Sequence, residues 1–331
     1  MIYDCFSFFN ELDLLEIRLN VLKDVVDRFV LVEATVTHTG NPKPLYYKEN
    51  QSRFAAFSDK IIHIVVDDFA AANGAETPRE KAWSIENIQR NAIAKGLVGA
   101  KAEDTILISD LDEIPRPESV RKVVGLPGVT RLGLMQCNYF LNYHNYTTPE
   151  WTLSTQALSY GTFLDQQTYA GFKFNEFVVS AVNAVPSASM IRFLKSDRTL
   201  HRAGWHFSYQ GGVEMISRKI QSIAHTEFNT EQTHSDKWIE ERIQRGEDVF
   251  LRGDRFFAEP LDERFPRYVV EHADRYEKMI FKVDDDYLVR TARLRKSVSL
   301  RGMVRRAIIR CIPDSLMPLA VRLRNSLLKI R

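Results

Sequence analysis

Cysteine is scarce in this chain. Cys5, Cys137 and Cys311 are the only three among 331 residues, they lie far apart, and none forms a Cys-x-x-Cys pair. A disulfide scaffold and a cysteine-ligated zinc site are therefore not expected. No uninterrupted apolar run of about 18 residues occurs, so no membrane-spanning helix is expected. The start, Met1-Ile2-Tyr3-Asp4, has no basic segment leading an apolar one. A secretory signal is thus not expected, and the reading is a cytoplasmic chain. Internal repeats and low-complexity stretches are also lacking. What remains is ordinary for a folded protein: 44% hydrophobic and 27% charged residues, which excludes wholesale disorder. The length allows one large or two small domains with a sizeable core.

Charge is unevenly spread. Residues 288–331 hold twelve Lys/Arg and one acid, Asp314, a net +11 that leaves the rest of the chain at −9 within a total of +2. Such a tail suits an anionic partner, a membrane or nucleic acid. Its pattern reads as two amphipathic helices split by Pro313. Leu300, Met303, Val304, Ala307, Ile308 and Cys311 form one apolar stripe, and Leu316, Leu319, Ala320, Leu323 and Leu327 form another, with arginines mostly off both. A basic face opposite an apolar one favours an anionic bilayer over nucleic acid, so the expectation is peripheral attachment to the inner face of the plasma membrane. Packing of these helices on the acidic body, or against a second copy, is the competing reading.

Along the body, residues 2–8 read as a strand. Leu12, Leu15, Leu19, Leu22 and Val26 mark one helical stripe, with Asn10 as a candidate cap. Residues 28–34 are a near-continuous apolar run, as in a strand covered on both faces. Strand, helix and strand in succession make a βαβ unit and hence a parallel sheet. Residues 61–66 fit another strand. Thr77, Pro78 and Glu80 form a capping box at the start of a helix, and Gly96 is a candidate stop. Residues 105–109 form a further buried strand. Short aromatic β-like segments follow at 130–143, 176–182, 189–194 and 204–209, read as a mixed or antiparallel extension. Residues 213–224 and 235–245 read as helices, and 246–287 as irregular.

The sharpest chemical signal is Asp110-Leu111-Asp112, directly after the strand at 105–109. Ligands of open α/β sheets bind at the carboxyl ends of strands. Two carboxylates two residues apart offer hard oxygens for Mn²⁺ or Mg²⁺, which in turn grips a diphosphate. A nucleotide-sugar transferase needs this, because its leaving group is an anionic diphosphate. Solvated acids or caps are the bland alternative. A phosphohydrolase with an Asp-x-Asp nucleophile fits poorly, since Ile114 stands where a hydroxyl residue is needed. Glu33 ends a strand and could contact donor nucleotide or sugar, or serve as a turn acid. Glu86, Gln89 and Arg90 share a helix face; Arg90 could pair with the diphosphate or simply with Glu86. Trp205, Tyr209, Tyr139 and Tyr143 could stack on sugar faces or pack in a core.

Several separated segments resemble glycosyltransferase family 17: Ile2-Tyr-Asp-Cys-Phe6, Glu11-Leu-Asp-Leu-Leu-Glu-Ile-Arg18, Asp24-Val-Val-Asp27, Val32-Glu33, Gly40-Asn-Pro-Lys-Pro-Leu45, Ser109-Asp-Leu-Asp-Glu-Ile-Pro115 and Gly204-Trp-His-Phe-Ser208. The resemblance spans roughly residues 1–285. It implies an inverting β-1,4-N-acetylglucosaminyltransferase using UDP-GlcNAc, a glycan or glycolipid acceptor and a divalent metal. It also implies a GT-A-like α/β fold, with a mixed, mostly parallel sheet flanked by helices. The expected layout is a catalytic domain at 1–287, split into a nucleotide-binding part (1–128) and an acceptor-side part (129–287), followed by the helical tail at 288–331. The family's metal motif maps onto Asp110 and Asp112. A third ligand from a late histidine is expected at His225, with His206 the rival; His144 is a further histidine in an aromatic strand. Inversion needs a base for the acceptor hydroxyl, expected at Glu214, with Glu227 and Asp165 as rivals. A non-catalytic carbohydrate-binding protein of the same fold and a metal-dependent phosphohydrolase are the alternative functions.

Overall fold

The computed structural model describes residues 1–153, 155–165, 172–174, 177–179, 188–191 and 196–310, without the side chains of 172–174, 177–179, 189–190 and 305–310. The apolar runs become buried strands: β1 (Ile2–Phe8), β2 (Arg28–Ala34), β3 (Ile61–Val66) and β4 (Thr105–Asp110). They are followed by β5 (Glu113–Pro115), β6 (Thr130–Asn138), β7 (Tyr143–Asn145), β8 (Glu150–Trp151) and β9 (Gln156–Ser159). Next come β10 (Phe172–Phe174), β11 (Phe177–Val179), β12 (Arg198–Ser208) and β13 (Phe256–Ala258). Among the described residues β10 and β11 pair only with each other; the rest share one mixed sheet with the path β13-β7-β6-β9-β4-β1-β2-β3, to which β12 and β8 add on β6 and β5 adds on β12.

β3, β2, β1 and β4 are mutually parallel. β9 is antiparallel to both β4 and β6, while β12 is parallel to β6. All six long strands therefore point the same way and end on one edge, the edge where ligands collect in such sheets. Side-chain alternation sorts residues between two cores. Phe6, Phe29, Leu31 and Leu107 face one layer under the helix Leu12–Leu22. Cys5, Val30, Val32, Ile106 and Ile108 face the other, with Ile93 and Leu97. A third cluster, with Ile216, Ile220, Ile239 and Phe256, lies under the helices Gly212–Ser222 and Asp236–Gln244.

The helix Pro78–Asn91 starts at Thr77 with the expected reciprocal capping box. Asn10 is not a cap. Glu11 takes that position without a side-chain cap, and its carboxylate is used elsewhere. Over the expected strand at 189–194, Ala188–Ile191 is a helical turn instead, and 192–195 lie outside the described residues. The C-terminal helix runs as one piece over Asp285–Arg310. It begins before the expected boundary at 288, and its first turns dock on the body. The Tyr287 hydroxyl accepts the Ala258 amide at 2.9 Å, Arg295 donates to the Ala258 carbonyl, and Val298 is buried. Val289, Leu300, Met303 and Val304 stay exposed. The second stripe, after Pro313, lies outside the described residues. Among the described residues, no helix is long and apolar enough to cross a membrane.

β5 is pressed against β12 at Gly204, which pairs with Pro115. A Cβ there would stand 2.2 Å from the Ile114 carbonyl oxygen and 2.6 Å from the Pro115 Cα. Backbone cannot step aside as a flexible side chain can. Gly204→Ala should therefore destabilise the fold by about 1–3 kcal/mol, read as a lower urea midpoint with an unchanged m-value.

Candidate active site

The Asp110–Glu113 turn is fastened from below by one side chain. Arg18, on the buried face of the helix Leu12–Leu22, is fully buried. Its guanidinium donates to both Asp4 oxygens, at 2.7 and 2.6 Å. It also donates to the Ser109 hydroxyl at 2.6 Å and to the carbonyls of Asp110, Leu111 and Glu113 at 2.9, 3.0 and 2.9 Å. The Phe6 ring lies 4.4 Å below it. Alternation along β4 then decides what the acids meet. Ser109 points to the Arg18 side, and Asp110 points to the opposite face. Glu113 closes the turn: it accepts the Asp110 amide at 3.2 Å and the Trp151 indole N–H at 2.8 Å.

Each Asp of the pair faces a cation. Arg90, at 3% exposure, donates to Asp110 at 2.7 Å and to Glu86 at 2.7 Å. Burial disfavours its charge, but Asp110 and Glu86 outweigh that and hold the guanidinium more firmly protonated than usual. Lys219, on the helix Gly212–Ser222, donates to Asp112 at 2.8 Å, and its ammonium lies 3.2 Å from a Glu11 oxygen. Here too burial opposes the charge, and Asp112 and Glu11 overcome it and raise the lysine above its ordinary range. Lys219 sits 5.5 Å from the centre of the Tyr209 ring, and His206 Nε2 is 3.7 Å from the other Asp112 oxygen. Tyr209 (φ 55°) and Tyr139 (φ 72°) are both left-handed at the ends of adjacent strands β12 and β6. Non-glycine residues held there are strained, and such strain clusters at functional sites.

A family model described as "Glycosyltransferase family 17" matches residues 1–182, more than half the chain. The chain belongs to glycosyltransferase family 17. The human β-1,4-mannosyl-glycoprotein 4-β-N-acetylglucosaminyltransferase is 24% identical over 313 residues, covering 82% of this chain and 53% of its own length. The rat protein of that name is 23% identical over the same shares. The mouse one is 29% identical over 117 residues, which is 34% of this chain and 21% of its own length. The chain thus spans about half the length of the human and rat proteins. The turn and Arg90 lie within the part that matches the family 17 model, whereas His206, Tyr209 and Lys219 lie beyond it.

Against the family 17 expectations, the structure brings together Asp110, Asp112, Arg90 and Tyr209. Arg90 makes the pair with Glu86 that was weighed for it in the sequence, and a second one, across to Asp110, that was not. Gln89 donates to the carbonyls of Phe8 and Val32 and meets His38 at 3.3 Å. The other residues stand apart. Glu33 is fully buried: it accepts the Tyr47 amide at 3.0 Å, meets His63 at 3.1 Å and lies 3.8 Å from Lys43, which fixes the 43–47 segment. Trp205 is 3% exposed, bonded to the Arg264 carbonyl and covered by Arg116 at 4.1 Å, so it offers no face to a sugar. Tyr139 and Tyr143 are likewise buried.

His225 is half-exposed, 3.0 Å from Glu227 and edge-on to Trp83 at 5.0 Å; the histidine beside Asp112 is His206 instead. Glu227 also meets Arg79 at 3.4 Å. His144 is bound between Glu259 and the Pro149 carbonyl. Glu214 is exposed in the first turn of its helix, just past β12. Asp165 follows β9, whose end pairs with the start of β4, and so lies at the opposite edge of the sheet. Sequence reasoning missed Lys219, Glu11 and Glu113; the one signal for Arg18 was a charge inside an apolar helical stripe.

The donor set suits a hard divalent cation. Asp110 and Asp112 supply carboxylate oxygens, an imidazole is adjacent, and Glu11, Glu86 and Glu113 leave formal negative charge in excess of Arg90 and Lys219, Arg18 being matched by Asp4. The ligands do not converge, however: among the described residues no group of three or more His, Cys, Asp or Glu is arranged to hold a metal.

Breaking a buried pair leaves an uncompensated charge. Arg18→Met should cost about 3–5 kcal/mol, since Asp4 and three carbonyls lose their donor. The double variant Arg18→Met/Asp4→Leu should regain part of that in the same denaturant titration.

Proposed function

We propose that this chain transfers N-acetylglucosamine from UDP-GlcNAc to a hydroxyl of a glycan or glycolipid acceptor, with inversion, using Mn²⁺ or Mg²⁺. The observation that carries the reading is the Asp110–Asp112 turn, anchored by Arg18 at the carboxyl edge of the sheet in a chain of glycosyltransferase family 17. Its relatives of known name are N-acetylglucosaminyltransferases. Asp112, supported by Asp110, would hold the cation; once bound, the cation would offset the charge of the departing diphosphate. Arg90 pairs with Asp110 and orients it. Tyr209 borders the site and offers an aromatic surface to a sugar. The acceptor oxygen attacks the anomeric carbon, its proton passes to a carboxylate, and UDP leaves from the opposite face. Glu214 is assigned as that base: it follows β12 directly and is exposed, whereas Glu227 is tied to His225 and Arg79.

Asp112→Ala should abolish UDP-GlcNAc-dependent transfer while leaving the circular dichroism spectrum unchanged. Glu214→Gln should lower kcat by about 10²-fold or more with little change in donor affinity. If Asp112→Ala keeps near-normal activity at limiting Mn²⁺, the reading fails; normal turnover in Glu214→Gln moves the base to Glu227.

The tail belongs to the same proposal. On the C-terminal helix Leu300, Met303 and Val304 are exposed, as are Arg293, Lys296 and Arg301. Each basic residue near an anionic surface contributes about 1 kcal/mol, so the tail would hold the chain peripherally on a membrane near a lipid-linked acceptor. Arg293→Glu/Lys296→Glu/Arg301→Glu should reduce flotation with anionic liposomes and leave UDP-GlcNAc hydrolysis unchanged. Undiminished flotation would refute the tether.

A further inference from the structure

Resting on the transferase reading above, we propose that Gln136, Asn138 and Gln210 line a subsite for a neutral pyranose beside Asp112, where their carboxamides bond sugar hydroxyls. Gln136 Oε1, Asn138 Oδ1 and Gln210 Oε1 are buried and have no hydrogen-bond partner among the described residues. The three residues are 7%, 1% and 7% exposed. A buried polar atom without a partner costs stability, and folded proteins keep few of them. Three gathered at the ends of two adjacent strands mark a place kept for a ligand. Gln136 and Asn138 alternate onto one face of β6. Their neighbours across parallel β12 are His206 and Ser208. Gln210 follows two residues later, with its Nε2 donating to the Ser208 carbonyl at 3.3 Å. This face is the one that meets the Asp110–Glu113 turn: His206 Nε2 is 3.7 Å from Asp112 Oδ1, and His206 pairs with Glu113 across β5. Trp151 closes the other flank. It pairs with Leu134, two residues before Gln136, its indole N–H is held by Glu113 at 2.8 Å, and its ring lies 5.0 Å from that of His206.

The chemistry of the lining selects the ligand. A carboxamide is uncharged and carries both an acceptor and donors, and a half-turn of its last torsion exchanges which end faces the site. A hydroxyl likewise donates and accepts, so amide and hydroxyl match in either sense. Asp112 and Glu113 border the patch and disfavour an anionic group there. An apolar ligand would bury the amides further without giving them partners. A pyranose offers hydroxyls at its rim and C–H groups on its face, and the Trp151 indole supplies a flat apolar wall for that face. Backbone strain falls at the same place. Tyr139 follows Asn138 and Tyr209 precedes Gln210, both with left-handed φ, 72° and 55°. Strain and unpartnered polar atoms are each tolerated where function requires them. The sugar of an acceptor and the sugar of the donor share this chemistry, so the test has an arm for each.

Gln136→Met and Asn138→Leu keep the side-chain shape and remove the polar atoms. Binding is read by saturation-transfer NMR on the full chain. The methyl β-glycosides of glucose, mannose, galactose and N-acetylglucosamine, without metal, probe the acceptor source. UDP-GlcNAc against UDP, in Mg²⁺ buffer, probes the donor source. The wild type should saturate the pyranose protons of at least one probe, and both variants should weaken that binding by about tenfold or more while UDP still binds. A loss with the free glycosides assigns the subsite to the acceptor; a loss confined to the sugar protons of UDP-GlcNAc assigns it to the donor. A urea titration without ligand is the second measurement. Replacing unpartnered amides by apolar groups of like shape should leave the midpoint unchanged or raise it. A lowered midpoint makes the amides part of the fold and overturns the subsite. Pyranose binding unchanged in both variants overturns it too, as does a wild type that binds UDP but no pyranose; both leave the transferase reading standing. A wild type that binds neither UDP nor any pyranose overturns the subsite and the transferase reading together.

Discussion

The buried pair of Arg18 and Asp4 is the contact on which the site is built. A guanidinium taken wholly out of water must find partners for all its donors, and here it finds them in two strands and one turn. Asp4 on β1 balances its charge. The carbonyls of Asp110, Leu111 and Glu113 would otherwise end the strand with unsatisfied acceptors in a dry setting. One residue of the first helix thus shapes a turn 92 residues away. It also makes that turn rigid, which an array of charged groups requires if its geometry is to be set before a ligand arrives.

That dependence explains what the sequence made legible. Strands β1 to β4 are local apolar runs, and the capping box at Thr77 is a local pattern, so both can be read from neighbouring residues. Asp110 and Asp112 were placed at a strand end for the same reason. The insertion of antiparallel β9 between β4 and β6 is different. It is decided by which strand best fills the edge of β4, and no window of sequence contains that choice. His206 and Lys219 reach Asp112 only through this arrangement, because β12 adds on β6 and the helix Gly212–Ser222 springs from β12. The two glycines that start this helix, Gly211 (φ 97°) and Gly212 (φ 85°), let the chain reverse so that Lys219 faces the turn. That register sets His206, rather than His225, beside Asp112: His206 pairs with Glu113 across β5 and β12. Trp205, its neighbour, must then face the core.

The electrostatics of the site follow from the same layout. Alternation on β4 sends Ser109 down to Arg18 and Asp110 to the face of the helix Pro78–Asn91, where Arg90 waits. Asp112, beyond the strand, escapes alternation and meets Lys219 from a different layer. The two acids are two residues apart in sequence but are held by cations from two different helices. Arg90 is locked, because its second partner, Glu86, lies one helical turn before it on the same helix. Lys219 has a second partner from another element, Glu11, and bridges it to Asp112.

The C-terminal helix extends this reasoning to the periphery. Tyr287, Thr291, Arg295 and Val298 recur at helical spacing and form the docked face, with Arg295 lying over the rings of Tyr146, Phe257 and Tyr287. A guanidinium stacked on three rings and bonded to a strand carbonyl belongs to the fold, so the basic charge of residue 295 is not available to an outside surface. The residues that remain available, Arg290, Arg293, Lys296 and Arg301, alternate with outward apolar side chains on the far side. Packing on the acidic body would require that far face to turn inward, and the docked stripe prevents it: the helix cannot rotate without pulling Arg295 and Val298 out of their contacts. Among the described residues, the outward face is therefore kept off the body by the residues that anchor the opposite side.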